Sequence, residues 1–526
     1  MAKALLFGNE ARQALLQGMR ALADAVRVTF GPRGRIVLLE RGNGFPLATG
    51  DGVTVAREVA VRDALGNIGV RLLQEVAVRT NEAAGDGTTT AVILAQKMVE
   101  EGVKALLSFH NPVWIRRGME KALEVALERL KEWSVPLDDE RYLFEVASIA
   151  ARDRALGKLV ASALQRVGKE GVVTIEESKV TETVLEVVEG IEFERGFLSP
   201  YFVTNVERNE VVLENPLILV SDYKIRNASV LFPLLEKVFQ TGRPLLLIIG
   251  ELEGEALALL VVNKLRGILQ VAAVKAPEFG ERQREVLGDI AVLSGGQVVL
   301  QDLGMKLEKV PVELLGEAEK VQITEKKTVI VGGRGRRRDI EERIQQVRTQ
   351  IEKSSSHSEK EWYERRLASL VRGVAVIRVG APTEVELKEK KQRLEDALFA
   401  TRAALEEGIV PGGGTTLLRI AEELRSYTVA DSERVGFNIV CQALEEPVRQ
   451  IATNAGYRGS LIAERVRQCG KNVGFDALQG TFVDMFAAGI VDPTKVLRVA
   501  LQNAVSIASL VLTTEVIAVE TQETQE

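Results

Sequence analysis

Apolar residues recur at helical spacing in the first part of the chain. The apolar positions of the first segment share one helical face: Leu15, Met19, Leu22 and Val26. This spacing predicts a helix that stops before the Gly-Pro pair at residues 31–34. A strand-like run, IVLLE, follows. After it the sequence predicts an apolar helix from residue 88 to about residue 107, and a helix with a charged outer face at residues 116–133.

The pattern changes from about residue 190 onward. Short apolar runs of strand length alternate with amphipathic helical stretches; the runs are PLILVSD, RPLLLIIG, ILQVAAVKAP and VVLQ. Such alternation predicts an α/β layer. The high charge of residues 334–370 predicts exposed helices. The rest of the chain, after the glycine-rich turn at residues 411–414, has a helical pattern again. We expect a multidomain α and α/β protein with a central module inserted into an outer one that contains both chain ends.

Composition restricts the class of protein. A chain of 526 residues is too long for one core, and 46% apolar with 27% charged residues is typical of a globular protein. The net charge of -6 gives no general attraction to nucleic acid or anionic membranes. Two cysteines fit a reducing compartment, and two histidines are too few for a zinc site or a favoured hydrolase triad. These features predict a cytoplasmic protein without a membrane segment.

One short stretch, EAAGDGTTTAVILA, combines features that suit a phosphate. Gly85 and Gly87 permit close backbone approach, and the hydroxyls of Thr88–Thr90 stand where a helix begins. The lysine of a Walker A loop is missing. Asp86 would repel a phosphate unless a divalent cation lay between them, so the stretch predicts a metal-bridged phosphate site.

Several longer motifs resemble the group I chaperonins, the GroEL type. The matching segments are VTFGPRGR, GDGVTVARE, AAGDGTTTA, RGFLSPYFVTN, VKAPEFGER, RLEDALFATRAALEEGIVPGGG and VDPTKV. The similarity extends from residue 2 to about residue 519 with few gaps. It implies a chaperonin architecture with a helical equatorial domain, a small mixed hinge domain and an α/β apical domain.

The resemblance also implies domain boundaries. The equatorial ATP-binding domain would comprise 1–135 and 408–526, the intermediate hinge domain 136–189 and 374–407, and the apical domain 190–373. The residues that match the family's hinges are Pro136, Gly190, Gly373 and Gly408. Glycine tolerates large changes in φ and ψ, which suits a hinge.

An ATPase site follows from the same resemblance, with ATP and Mg²⁺ as cofactors and K⁺ as an additional cation. Asp86 matches the magnesium ligand, Asp396 the carboxylate that orients the attacking water, and Asp51 a second catalytic carboxylate near the γ-phosphate. The other nucleotide-binding positions are Thr29, Phe30, Gly31, Pro32, Gly87, Thr88, Thr89, Thr90, Gly413, Asp476, Ala477 and Asp492. Taken singly, each of these signals also fits an ordinary turn or helix surface.

A polypeptide-binding surface is implied in the apical domain. The positions that match it are Phe197, Tyr201, Phe202, Phe232, Leu235, Leu257, Val261 and Val262. Helix stripes of this kind are more often core, but these helices have more apolar positions than one buried face requires. The implied function is an ATP-driven folding chaperone, induced by stress, that binds non-native polypeptides within homo-oligomeric seven-membered rings together with a GroES-type co-chaperonin.

Some positions depart from the family pattern. Gly50 stands beside Asp51 where a lysine or asparagine is common, and Ala150 replaces a frequent serine. Arg449 matches an inter-ring arginine, but Arg458 stands at its usual acidic partner position, and 107–110 replaces a small-residue stretch. We therefore expect a weakened or reshaped double ring.

Two alternative functions remain open at this stage. The altered ring contacts and the absence of a Gly-Gly-Met tail also fit a divergent paralogue that holds or scaffolds proteins with weak ATPase activity. The arginine-rich run at 334–338 suits RNA contact, but acidic residues follow it immediately, which favours a solvated loop.

Overall fold

The chain forms two compact units, of which each contains its own core. The computed structural model describes residues 3–40, 46–137, 139–168, 171–178, 180–206, 208–354 and 356–520. The first unit comprises Met1–Ala161 and Lys388–Glu526, and the second comprises Ser162–Leu387. The three-domain boundaries expected from the sequence remain a prediction.

Helices dominate the first unit and surround the sheets of the second. In chain order the α-helices of the described residues are α1 (Gly8–Arg27), α2 (Gly52–Glu58), α3 (Ala64–Ala84), α4 (Thr88–Leu107), α5 (Pro112–Trp133), α6 (Glu140–Ala151), α7 (Arg154–Val167), α8 (Phe232–Thr241), α9 (Gly254–Leu265), α10 (Gly280–Ser294), α11 (Arg337–Lys353), α12 (His357–Arg372), α13 (Glu384–Glu407), α14 (Thr415–Arg425), α15 (Asp431–Ala443), α16 (Glu446–Asn454), α17 (Gly459–Arg467) and α18 (Thr494–Thr513).

Strands form several separate sheets. In chain order they are β1 (Lys3–Phe7), β2 (Val37–Leu39), β3 (Leu47–Thr49), β4 (Val172–Glu177), β5 (Val184–Val188), β6 (Gly190–Phe193), β7 (Val211–Glu214), β8 (Leu217–Ile225), β9 (Leu245–Leu252), β10 (Val271–Lys275), β11 (Val298–Val299), β12 (Gly316–Ile323), β13 (Thr328–Gly333), β14 (Val374–Val379), β15 (Ile409–Pro411), β16 (Val473–Asp476), β17 (Thr481–Asp484), β18 (Val491–Pro493) and β19 (Val516–Glu520).

The first unit is a helical bundle whose core joins both ends of the chain. Helix α18 packs against α3, α4 and α5, and α15 packs against α5. Strand β1 pairs antiparallel with β19, so the described chain ends lie in one unit. Helix α18 is long and apolar enough to cross a membrane by length and composition. Its Leu497, Leu501, Val505 and Leu512 are buried in the bundle core, which explains that apolarity as core packing.

The second unit is built on a mixed sheet in the order β10-β9-β8-β12-β13-β6, with β11 paired to β8 and β7 paired to β12. Strands β8, β9 and β10 are parallel, and the helices α8 and α9 connect them. The first five residues of β8 and the first six of β9 are all buried. Burial on both faces explains why these strands read as continuous apolar runs rather than alternating ones. A smaller sheet in the order β4-β14-β5 belongs to the same unit.

The expected α and α/β fold class is confirmed, and one expectation needs correction. The charged segment after residue 334 does form two helices, α11 and α12, but α12 is not simply exposed. Arg366 is buried, and its guanidinium donates to Asp289, which is also buried, and to Glu285. Arg343 of α11 donates to the same two carboxylates. Charges remain buried here because each is paired and hydrogen-bonded.

Candidate functional site

The loop between α3 and α4 is a sharp turn that places Asp86 between two helix ends. Helix α3 ends at Gly85 (φ 70°), and α4 begins after Gly87 (φ 83°); both lie in the left-handed region that favours glycine. A Cβ on Gly85 would lie 2.0 Å from the Cβ of Phe399, and one on Gly87 would lie 2.6 Å from Val496. Both glycines are therefore required by conformation and by close packing.

The start of α4 offers unpaired hydrogen-bond donors. The backbone N–H groups of Thr88–Thr90 lack partners inside the helix, and no side chain caps this end. The three threonines are buried, and Gly52 at the start of α2 approaches so closely that its Cβ would lie 2.4 Å from the Thr89 hydroxyl. Free donors and the positive end of the helix dipole make this an anion site.

Asp51 caps the neighbouring helix α2. Its carboxylate accepts hydrogen bonds from the backbone N–H groups of Val53 (3.3 Å) and Thr54 (2.9 Å) and from the Thr54 hydroxyl (2.6 Å). These bonds fix the orientation of the carboxylate. The sequence predicts a catalytic role for Asp51; in the structure the residue has this clear structural role, and the catalytic role remains a prediction.

Asp396 is brought to the turn by α13. Phe399, one turn later on the same helix, packs against Gly85, and the Gln392 side chain donates to Asp396 over 2.9 Å. Burial, followed by the charges of Asp51 and Asp86, raises the pKa of Asp396 well above its usual value. Three carboxylates that are distant in sequence therefore lie near one turn.

Asp492 joins the cluster from β18. This strand pairs antiparallel with β15, and a Cβ on Gly412 would lie 2.9 Å from the Asp492 carboxylate. Gly413 and Gly414 follow in left-handed conformations, and α14 begins after them. Burial raises the pKa of Asp492 to about 7, and the charge of Asp86 contributes in the same direction.

Asp86 lies in a recess that solvent can enter. Its side chain is exposed, yet desolvation by the surrounding protein raises its pKa, while the Gly87 N–H (2.5 Å) and the charge of Arg152 act in the opposite direction. Asp51 raises the pKa further. A cation bound here would relieve the repulsion between these carboxylates.

The donor set suits Mg²⁺ bound partly by phosphate. Within the described ranges, no group of three or more His, Cys, Asp or Glu side chains is arranged to hold a metal ion by itself. Mg²⁺ is commonly bound through one or two carboxylates, with phosphate oxygens and waters completing its octahedron. Asp86 beside the free N–H groups of α4 fits that arrangement.

Phe30 and Ala477, two of the predicted nucleotide-binding residues, belong to one apolar core cluster. Phe30 packs against a cluster that includes Ile451, Phe475 and Ala477. Gly31 (φ 81°) leaves room for Ile451, whose side chain would be 3.2 Å from a Cβ at this position. The structure thus brings the 29–32 turn and Ala477 together.

Two of the other predicted nucleotide-binding residues, Asp476 and Thr29, make hydrogen bonds within the chain. The Asp476 carboxylate accepts the backbone N–H groups of Leu478 (2.8 Å) and Gln479 (3.2 Å), so it stabilises a turn. Thr29 is fully buried, and its hydroxyl donates to the Val26 carbonyl. Their predicted nucleotide contacts remain predictions. Pro32 is exposed beside them.

Two residues at the site, Asn454 and Arg152, were not predicted from the sequence. Asn454 lies at the end of α16, and its amide donates to the carbonyls of Arg27 (2.8 Å) and Phe30 (2.9 Å), which holds the 29–32 turn in place. Arg152 donates to the Gly50 carbonyl over 3.2 Å, and its charge acts to lower the pKa of Asp86. Neither lies in a recognisable motif, although the missing side chain at Gly50 indicated free space.

The predicted polypeptide-binding residues are divided between surface and core of the second unit. Tyr201 (62% exposed), Phe232 (54%) and Val262 (42%) are accessible. Phe197, Leu257 and Val261 are half-buried against the core. Phe202 and Leu235 are buried in it, and their predicted contact with a bound polypeptide remains a prediction. Their side chains pack against the sheet, so in this conformation they stabilise the unit instead of presenting an apolar surface.

The positions that depart from the family pattern have clear structural settings. Arg449 pairs with the buried Glu445 of its own chain over 2.5 Å, and Arg458 is exposed at the start of α17. Phe109 is 98% exposed and has φ 62°, a conformation that is uncommon for a bulky residue. The arginine run is accessible, with Arg337 and Arg338 paired to Glu341 and Glu342. The C-terminal residues 521–526 lie outside the described residues.

Comparison with known protein families gives one match of nearly full length. The model of the TCP-1/cpn60 chaperonin family matches residues 22–522. The matched range includes the turn at Asp86, Asp396 on α13 and Asp492 on β18, and also the whole second unit.

Proposed function

The chain belongs to the TCP-1/cpn60 chaperonin family and so has a chaperonin role in protein folding; we propose that it performs this role by binding and hydrolysing ATP. Family membership also implies oligomeric rings and binding of substrate polypeptides. We propose seven-membered rings, a GroES-type co-chaperonin and Mg²⁺ as the essential metal, with K⁺ as an additional cation.

One observation carries the ATPase proposal. Asp51, Asp86, Asp396 and Asp492 come from four separate segments and act electrostatically on one site. That site adjoins the uncapped start of α4. A concentration of carboxylates is unfavourable by itself and becomes favourable around a cation, and the free N–H groups favour an anion. A metal-bound phosphate satisfies both.

The residues of the chain have distinct roles in this proposal. Bound Mg²⁺–ATP would supply the free energy of phosphoryl transfer for the folding cycle. Asp86 would hold the metal, and the N–H groups and hydroxyls of Thr88–Thr90 would hold phosphate oxygens. Phe30 and Ala477 would pack against the nucleotide, and Gly413 and Asp492 would contact its ribose and base region. Asp396 would accept a proton from, and orient, the attacking water, which requires its ionised form.

The second unit would bind the client. Tyr201, Phe232 and Val262 expose apolar area on segments that belong to the unit's surface. Apolar burial is non-directional, so such a surface binds unfolded chains with little sequence preference. Non-native polypeptides are therefore the partners that we propose, rather than a nucleic acid.

The test combines hydrolysis with refolding. Asp396→Ala should lower the rate of ATP hydrolysis by about 100-fold or more while ATP binding persists, because Asp396 acts on the water and not on the metal. Glu389→Gln, on an exposed position of α13, is the matched control and should hydrolyse ATP normally. Wild-type protein that binds no ATP, or that hydrolyses it and yet refolds no model client with any co-chaperonin, would contradict the proposal.

A second candidate is a holding or scaffold protein with weak ATPase activity and altered ring contacts. The observation that favours it is the engagement of Arg449 with Glu445 inside one chain, while Arg458 and Phe109 are exposed. Like charges at a ring contact repel. ATP-dependent refolding of a model client distinguishes the two: a protein that hydrolyses ATP and rescues no client would favour the scaffold. Light scattering at low protein concentration tests the ring contact itself: we expect dissociation into single rings, and a persistent double ring would contradict the weakened contact.

We also propose a cytoplasmic location. Cys441 and Cys469 are both free, as suits a reducing compartment. Fractionation of cells with an antibody against the chain would test the location.

A further inference from the structure

Arg152 has an unusual backbone conformation at the edge of the carboxylate site. It follows the last residue of α6 with φ 53° and ψ 24°, in the left-handed region, and its N–H donates to the Ile149 carbonyl. A non-glycine residue in this region is strained by about 1 kcal/mol or more. Asparagine and glycine are the residues that tolerate it best, so an arginine here needs a reason.

The Arg152 side chain occupies space that Gly50 leaves open. Its Nη1 donates to the Gly50 carbonyl over 3.2 Å. A Cβ on residue 50 would lie 2.9 Å from the same Nη1, which is closer than real Cβ contacts. Gly50 immediately precedes Asp51, so the guanidinium stands at the mouth of the carboxylate cluster. A side chain at position 50 would therefore make the flexible end of the Arg152 side chain move from its present place.

The charge of Arg152 is available to an anion. Within the residues that the structure describes, no carboxylate lies at salt-bridge distance from its guanidinium, and the side chain is exposed. Its charge nevertheless acts on Asp86.

We propose that Arg152 contacts the terminal phosphate of the bound nucleotide. The guanidinium would reach it through the space that the missing side chain of Gly50 leaves open. The inference rests on the proposed ATPase function and adds a residue to it. A guanidinium matches two phosphate oxygens at once and carries a permanent charge. In this chain the positive charge beside the phosphate would thus come from Arg152 at the end of α6, and not from a lysine at residue 50.

The experiment measures nucleotide affinity by isothermal titration calorimetry, with Mg²⁺ and either ADP or a non-hydrolysable ATP analogue. Arg152→Asn removes the charge and suits the left-handed backbone, so the fold should be retained. We expect the affinity for the ATP analogue to fall by about 10-fold or more, and that for ADP to fall less. Arg154→Asn is the matched control: Arg154 is exposed, pairs with Glu145, and should leave both affinities unchanged.

Two further variants separate phosphate binding from a structural role. Gly50→Ala should lower the affinity for the ATP analogue with Arg152 intact, because the added Cβ displaces the guanidinium. Gly50→Lys in the Arg152→Asn background should restore part of the affinity by supplying a charge from the other side. Restoration supports phosphate contact, since a purely structural defect would not respond to a new charge.

The outcomes distinguish this inference from the proposed function. Wild-type protein that binds neither nucleotide would overturn both. Wild-type binding together with unchanged affinity in Arg152→Asn would overturn the inference alone. A second result would also overturn the inference alone. In that result Arg152→Asn lowers the nucleotide affinity only as far as it lowers the thermal midpoint of the nucleotide-free protein, and adding Gly50→Lys restores no affinity.

Discussion

Asp492 provides a quantitative test of the electrostatics of the site. Its carboxylate lies on β18 beside Gly412, and burial raises its pKa to about 7, with Asp86 contributing. An ionised carboxylate in this position is unfavourable without a cation. We therefore predict that Asp492→Asn stabilises the nucleotide-free protein, and that the gain grows as the pH rises.

The sign and size follow from proton linkage. The pKa is 3.8 in an ordinary aspartate and about 7 in the fold, so the folded protein binds more protons than the unfolded chain between these values. The contribution of Asp492 to stability is therefore fully present below its unfolded-state pKa of 3.8 and is lost as the pH rises through its folded-state pKa of about 7. At about 1.4 kcal/mol per unit, the full difference is about 4 kcal/mol, of which about 2 kcal/mol develops between about pH 5.5 and pH 8. Because Asp492 is only half-buried, screening by solvent should reduce this part to about 1 kcal/mol.

The assay is urea unfolding of the nucleotide-free protein, followed by circular dichroism at about pH 5.5, 7 and 8, with the assembly state held constant. The measured quantity is the difference in unfolding free energy between Asp492→Asn and wild type. Glu128→Gln, an exposed carboxylate on α5, is the control and should show no trend. A difference that stays constant across these pH values would show that Asp492 ionises normally in the fold and would refute the reasoning.

Three further predictions address the turn, the metal and the client surface. Gly85→Ala should lower the free energy of unfolding by at least about 3 kcal/mol in chemical denaturation, since its Cβ would overlap Phe399 at 2.0 Å. The control is Gly242→Ala: Gly242 has φ 67° and open space around it, so this substitution should cost only about 1 kcal/mol. Asp86→Asn should abolish the increase in ATP affinity that Mg²⁺ produces in titration calorimetry, whereas an unchanged increase would exclude Asp86 as the ligand. Tyr201→Ser should weaken the capture of an unfolded client and leave the free energy of unfolding unchanged. Phe202→Ser should lower the free energy of unfolding by about 3 kcal/mol or more. Equal effects of the two variants would mean that exposure does not separate client binding from core packing.

The sequence by itself determined most of the secondary structure. The predicted helix from Thr88 to Leu107 has these same bounds in the structure. The apolar runs of the central region became β8, β9, β10 and β11. Local periodicity carries this information, because a helix face and a doubly buried strand each impose their own spacing on apolar residues. The turn at Gly85–Gly87 was also readable, since glycine marks left-handed backbone locally.

The tertiary structure alone decided which distant residues meet and which apolar residues are exposed. The charge of Asp86 acts on Asp396, and Phe399 of the same helix packs against Gly85, although these segments are far apart in the chain. Tyr201 and Phe202 are neighbours of similar size, yet one is exposed and the other fully buried. The approach of Arg152 to the site likewise depended on space at Gly50. Sequence spacing specifies local faces, whereas side-chain burial and long-range electrostatics depend on what packs against each face.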